Sequence, residues 1–151
     1  MGLKDGLQGR KRRARPAWLR CSLPITLALA GTSALAAPAL RCTIDSTGET
    51  LVHDARITNN PYAVQPVSVN RHFRFKAVVV GDSRTGTVDH VQLYTQYQGA
   101  RGPVLLHQVG YTRPVVNTDP QTPSLTGLQW VYSPQRERQF QFECRWHEVQ
   151  P

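Results

Sequence analysis

Five histidines (His53, His72, His90, His107 and His147) and the cysteines Cys42 and Cys144 are the side chains beyond residue 36 best suited to chemistry. No two of the histidines are spaced as H-x-H or H-x-x-x-H, the intervals that put two imidazoles on one strand face or one helix face. No metal site and no cofactor are therefore expected. Solvated histidines on exposed strand faces account for the same pattern, with His72 and His147 on polar faces by parity. The run Gly81-Asp82-Ser83-Arg84-Thr85-Gly86 comes near two motifs and completes neither. Its second glycine is one residue late for G-x-S-x-G, and no Gly-Lys-Ser/Thr follows that could cradle phosphate. It reads as a loop joining two strands. Asp82, Ser83 and His90 can be drawn as a triad, but no spacing demands it. Residues 37–151 hold nine carboxylates scattered among eleven Lys and Arg, and no pair stands out for glycosidase chemistry. No catalytic residue is assigned.

The cysteines have a clearer role. Cys21 falls within the leader described below, so Cys42 and Cys144 remain as an even pair near the two ends of the chain that follows. Neither lies in a C-x-x-C or in a Cys/His cluster. In an exported protein such a pair implies a structural disulfide, and only one pairing is open.

The leader carries the export signal. Lys11, Arg12, Arg13, Arg15 and Arg20 form a positive region, Leu23 to Ala30 form an apolar one, and Ala34-Leu35-Ala36-Ala37 supplies an Ala-x-Ala site. This is the three-part pattern of a secretory signal peptide, with cleavage expected after Ala36. The competing reading is an uncleaved anchor, since twenty uncharged residues separate Arg20 from Arg41. Pro24, Gly31 and Pro38 interrupt that stretch. Arg precedes both Cys21 and Cys42, which argues against lipid attachment, and Ala14, Arg15 and Pro16 after Arg12-Arg13 make a weak twin-arginine signal. Residues 1–36 carry a net charge of +6 and residues 37–151 only +2, so the basic character belongs to the leader. The folded part has no cationic surplus for a run of phosphates, and nucleic acid is not an expected partner. The expected location is the periplasm if the source is a Gram-negative bacterium, and the exterior otherwise, with no transmembrane segment after cleavage.

Residues 37–151 form one expected domain. They contain 28 Val, Ile and Thr against 18 Ala, Leu, Lys and Glu, a composition that favours strands over helices. Phe140, Phe142, Cys144 and Trp146 alternate with Gln141, Glu143, Arg145 and His147, which is the period of a strand with one buried face. His72 to Val80 shows the same alternation and then runs into three valines. Three hairpins are expected: around Asp45-Ser46-Thr47-Gly48, around Gly99-Ala100-Arg101-Gly102, and around Ser133-Pro134-Gln135-Arg136. The fold class is all-β: an antiparallel sandwich, immunoglobulin-like in general shape, or a small barrel of about seven strands with one disulfide. A disulfide between the first and last strands is similar in architecture to small exported β proteins, periplasmic lysozyme inhibitors among them, although none of their motifs is present.

Two connections, 58–70 and 112–127, lack a strand pattern. The second is stiffened by Pro114, Pro120 and Pro123, which lowers the entropy lost on binding. Val115, Val116, Asn117, Thr118 and Asp119 are accordingly the expected contact residues, with the polar strand residues Arg74, Lys76, Arg145 and His147 as the second choice. The function expected is that of an exported, non-enzymatic binding module of the cell envelope, its partner a protein or other envelope ligand. The alternatives are an inhibitor of a cell-wall hydrolase and a small hydrolase. A flat sheet face with aromatics would favour the module, a protruding basic loop the inhibitor, and a deep pocket with converging His and carboxylates the enzyme.

Overall fold

A computed structural model of the chain describes residues 37–133 and 138–149. The leader, with its expected cleavage point after Ala36, lies outside the described residues, as do Pro134, Gln135 and Arg136 of the last expected turn. The strands are β1 (Ala37–Ser46), β2 (Glu49–Thr58), β3 (Val67–Ser68), β4 (Phe73–Asp82), β5 (Thr87–Gly99), β6 (Gly102–Thr112), β7 (Gln129–Tyr132) and β8 (Gln139–Val149), with a 3-10 turn at Pro61–Ala63. They form one sheet in the order β6-β5-β4-β2-β1-β8-β7, with β3 beside β4. The all-β expectation holds, and the sheet curls until it is nearly closed into a barrel. The expected strand pairs are present as β1–β2, β5–β6 and β7–β8. Among the described residues no helix is long and apolar enough to cross a membrane.

One pairing departs from an antiparallel sheet. β2 and β4 run parallel, joined at Ile57–Val79 and Thr58–Val80. Parallel neighbours need a crossover rather than a tight turn. Residues 59–72, with the 3-10 turn and β3, carry the chain back to the end where β2 began. The patternless stretch after Thr58 is that crossover.

Alternation places the core. In β8, Phe140, Phe142, Cys144 and Trp146 point inward and are buried; in β4, Phe73, Phe75, Ala77 and Val79 do the same. The rings meet across the interior, with Phe73 and Phe140 centroids 5.0 Å apart and Phe75 and Phe142 5.1 Å apart. The outward faces of β4 and β8 therefore point away from each other. Cys42 and Cys144 are directly opposed in neighbouring strands, with Cα atoms 4.0 Å apart, and form the expected disulfide. Cys144 bonds to the other side: its N–H donates to Thr126 Oγ1 and its carbonyl accepts from the Leu125 N–H. The cysteines thus occupy a pair without mutual backbone hydrogen bonds, where opposed side chains come closest.

Each long strand joins two ends of the barrel. One end carries the Thr47-Gly48 turn, residues 70–72, the β5–β6 turn and the start of β8. The other carries the β4–β5 turn and the connection from β6 to β7.

Candidate functional site

At the first end, a cleft of about 650 Å³ opens between three segments that sequence order keeps far apart. Thr47 and Glu49 come from the β1–β2 turn, Asn70 to Phe73 lead into β4, and Arg138 and Gln139 open β8. Asn70 organises the middle segment. Its Oδ1 accepts from the backbone N–H groups of His72 and Phe73, and its Nδ2 donates to Ser46 Oγ. The His72 carbonyl accepts from the Gln98 N–H, and its ring stacks on Tyr97 at 6.2 Å with 11° between planes. His72 is thus fixed from both sides.

Two guanidinium groups then converge on one atom. The Arg71 Nε–H donates to His72 Nε2 at 2.7 Å, and Arg138 Nη1 lies against the same atom. Two donor atoms on one acceptor lie about 5 Å apart or less, given ordinary hydrogen-bond lengths. Like charges at that distance repel by about 3 kcal/mol at an effective dielectric of about 20, and by less on the exposed Arg71 side. Among the described residues no carboxylate lies within ion-pair distance of either arginine; Glu49 shares the cleft without pairing to them.

The cleft continues into an aromatic shelf. Thr47 and Gln139 also line a shallower hollow of about 220 Å³ floored by Trp130, Asp45 and Gln141. Trp130 lies opposite Gln141 on β8, which lies opposite Asp45 on β1. The outward side chains of β7 are Trp130 and Tyr132, exposed by 50% and 61%, with Val131 between them buried, and Leu128 just before the strand is 54% exposed. Because Ser133 N–H bonds Arg138 O, the alternation of the ladder places Trp130 and Tyr132 in pairs without mutual backbone bonds. Their N–H and C=O groups point away from β8, toward the seam with β6. Among the described residues nothing pairs with that edge. Near the start of β6, Val104 and Leu105 are also exposed.

The expected contact loop lies elsewhere. Val115 is 85% exposed, but Val116 packs against the core. Asn117 Oδ1 accepts from the Asp119 N–H, Asp119 Oδ1 accepts from the Gln121 N–H, and Thr118 Oγ1 donates to Glu148. The segment is fastened to the last residues of β8, at the other end of the barrel. Arg74 and Lys76 on β4 and Arg145 and His147 on β8 do not share one face, because β4 and β8 confront each other across the core. Period two gives a face to each strand but does not say which strands lie side by side.

Nor are the histidines uniformly solvated. His53 lies edge-on to Phe75 at 6.3 Å, and burial lowers its pKa against the weaker opposing effect of Asp54. His107 approaches Phe142 at 6.2 Å with Nδ1 sealed from solvent. His147 holds its sealed Nε2 at 3.1 Å from Asp54 Oδ1, without hydrogen-bond alignment. Arg41 grips the same carboxylate through two 2.8 Å bonds, and this contact leads in holding the Asp54 pKa below its ordinary value. No group of three His, Cys, Asp or Glu among the described residues could hold a metal ion. Asp82 is committed to its own turn, bonded to Arg84 through side chain and backbone. Arg71, Arg138 and Trp130 are site residues that the sequence pattern does not single out; for Trp130 the available signal is an aromatic on the face of β7 opposite the buried Val131. No family model matches the chain, and neither a curated protein nor a solved structure resembles it significantly.

Proposed function

We propose that residues 37–151 act, after export, as a non-enzymatic binding module of the cell envelope, and that the shelf on β7 receives an extended segment of a partner protein. One observation carries this reading. The strand whose backbone groups on the β6 side have no partner among the described residues is also the strand presenting Trp130 and Tyr132 to solvent. An added strand takes its hydrogen bonds from such an edge, and neighbouring side chains supply its selectivity. Trp and Tyr supply large contact area with few rotatable bonds, which limits the entropy lost on association. An exposed apolar edge without a partner is also an aggregation hazard, a cost that a binding role explains.

The test compares capture from envelope extract by the wild-type protein and by Trp130→Ala/Tyr132→Ala. Both side chains are at least half exposed, so thermal unfolding should change little. Loss of an aromatic anchor costs about 2 kcal/mol or more, so capture of the partner should fall by roughly thirtyfold or more. Equal capture by both proteins would refute the proposal.

A further inference from the structure

We infer that the Arg71–His72–Arg138 cleft is an oxyanion site, built for a carboxylate or a phosphate group. This deepens the reading of the first end of the barrel as a binding surface and rests on it. Three observations converge. The cavity, about 650 Å³, is large enough for a small anion or an acidic side chain, and Thr47, Glu49, Asn70 and Gln139 line it beside the two arginines. Two guanidinium groups meet at its wall on one imidazole nitrogen, His72 Nε2. Each guanidinium carries five N–H donors, and among the described residues each directs one of them to His72. The remaining donors have the planar fork geometry that matches the oxygens of carboxylate and phosphate.

The arrangement is held in place before any ligand arrives. Asn70 ties the backbone of residues 72 and 73, and Tyr97 stacks on the imidazole that both arginines address. An anion entering between the guanidiniums would relieve their mutual repulsion as it formed its own bonds, so its gain exceeds that from two isolated arginines. The cleft also adjoins the Trp130 shelf through Thr47 and Gln139. An extended segment lying on β7 would therefore reach it with one acidic group.

The experiment follows the arginine Nε–Hε signals of the protein, as isolated from cells, by NMR in low-chloride buffer. The probes are inorganic phosphate, acetate, a blocked tetra-glutamate peptide and its tetra-glutamine counterpart. Movement of the Arg71 and Arg138 signals with phosphate or acetate supports a site for free anions. Movement with the glutamate peptide alone, and not with the glutamine peptide, supports a site for a chain-borne carboxylate. In either case Arg71→Gln should weaken binding by roughly tenfold or more, because a charged hydrogen bond is removed. Arg71→Lys should restore only part of it, because the fork is lost. Arg138→Gln should behave as Arg71→Gln does; if it fails to fold, the exposed Arg71 variants decide alone. No movement with any probe, or equal binding by wild type and Arg71→Gln, overturns the inference. Capture that depends on Trp130 would survive that failure, and anion binding without such capture would instead remove the strand-addition reading.

Discussion

Reducing the Cys42–Cys144 bond should cost more stability than any other single chemical change to the barrel. The cysteines are separated by 102 positions, so the bond closes most of the domain into one loop. The chain-entropy treatment assigns a loop of that size about 4.7 kcal/mol. Both sulfurs are fully buried between Leu40, Ile44, Phe142 and Trp146. With Cα atoms held 4.0 Å apart by strand pairing, two free thiols have little room to separate. For 115 residues the unfolding entropy is about 240 cal/mol/K, so 4.7 kcal/mol corresponds to a fall in Tm of about 20 °C. Calorimetry of the oxidised protein, the reduced protein and Cys42→Ala/Cys144→Ala checks this. The double variant should resemble the reduced form, with an added cost from two small cavities. A fall of less than about 5 °C on full reduction, with both thiols confirmed free, would refute the loop-closure account.

Three further outcomes follow from particular contacts. A Cβ at Gly81 would sit 2.0 Å from the Thr87 carbonyl oxygen, where the β4–β5 register shifts, so Gly81→Ala should destabilise by about 1–3 kcal/mol in denaturant unfolding. Burial lowers the His53 pKa in the folded protein, so the unfolded chain takes up this proton first as pH falls. Stability should therefore decline as pH drops below about 6.5, by at most about 1.4 kcal/mol per unit, and His53→Gln should flatten that decline in pH-dependent melts. Replacing Val116-Asn117-Thr118-Asp119 by Gly/Ser removes a packed valine and the Thr118–Glu148 bond, and should lower stability by about 1–2 kcal/mol in thermal unfolding.

The strands were legible because each has one buried face. Phe140 to His147 announces its inward side by strict alternation, and the structure buries the expected four residues. The disulfide was legible because arithmetic left one pairing. Strand order was not, because period two is a property of a single strand and adjacency is decided by the whole sheet. That is why Arg74 and Arg145 were grouped together, and why the parallel β2–β4 contact, only two residue pairs long, left no trace beyond an unusual crossover. The cleft was hidden for the same reason: Arg71 and Arg138 are 67 positions apart and meet only because β4 and β8 start at the same end. The histidines misled because parity cannot tell a solvated outer face from one closed over by neighbouring side chains, as at His147 beside Asp54. Trp130 and Tyr132 could have been separated from core aromatics by noting that Val131 and Phe140, opposed across the last hairpin, must both point inward.

Site-specific photocrosslinking tests the binding surface most directly. A crosslinking amino acid placed at Tyr132, 61% exposed on the shelf, is compared with one at Arg84, in the β4–β5 turn at the other end of the barrel. Strand β4, ten residues long, keeps the two ends about 30 Å apart, so one contact cannot serve both. Irradiation in intact cells should yield a discrete adduct from position 132 that is lost with Trp130→Ala, and none from position 84. Adducts of equal yield from both positions, or an adduct from position 84 alone, would contradict the assignment of the β7 edge as the contact surface.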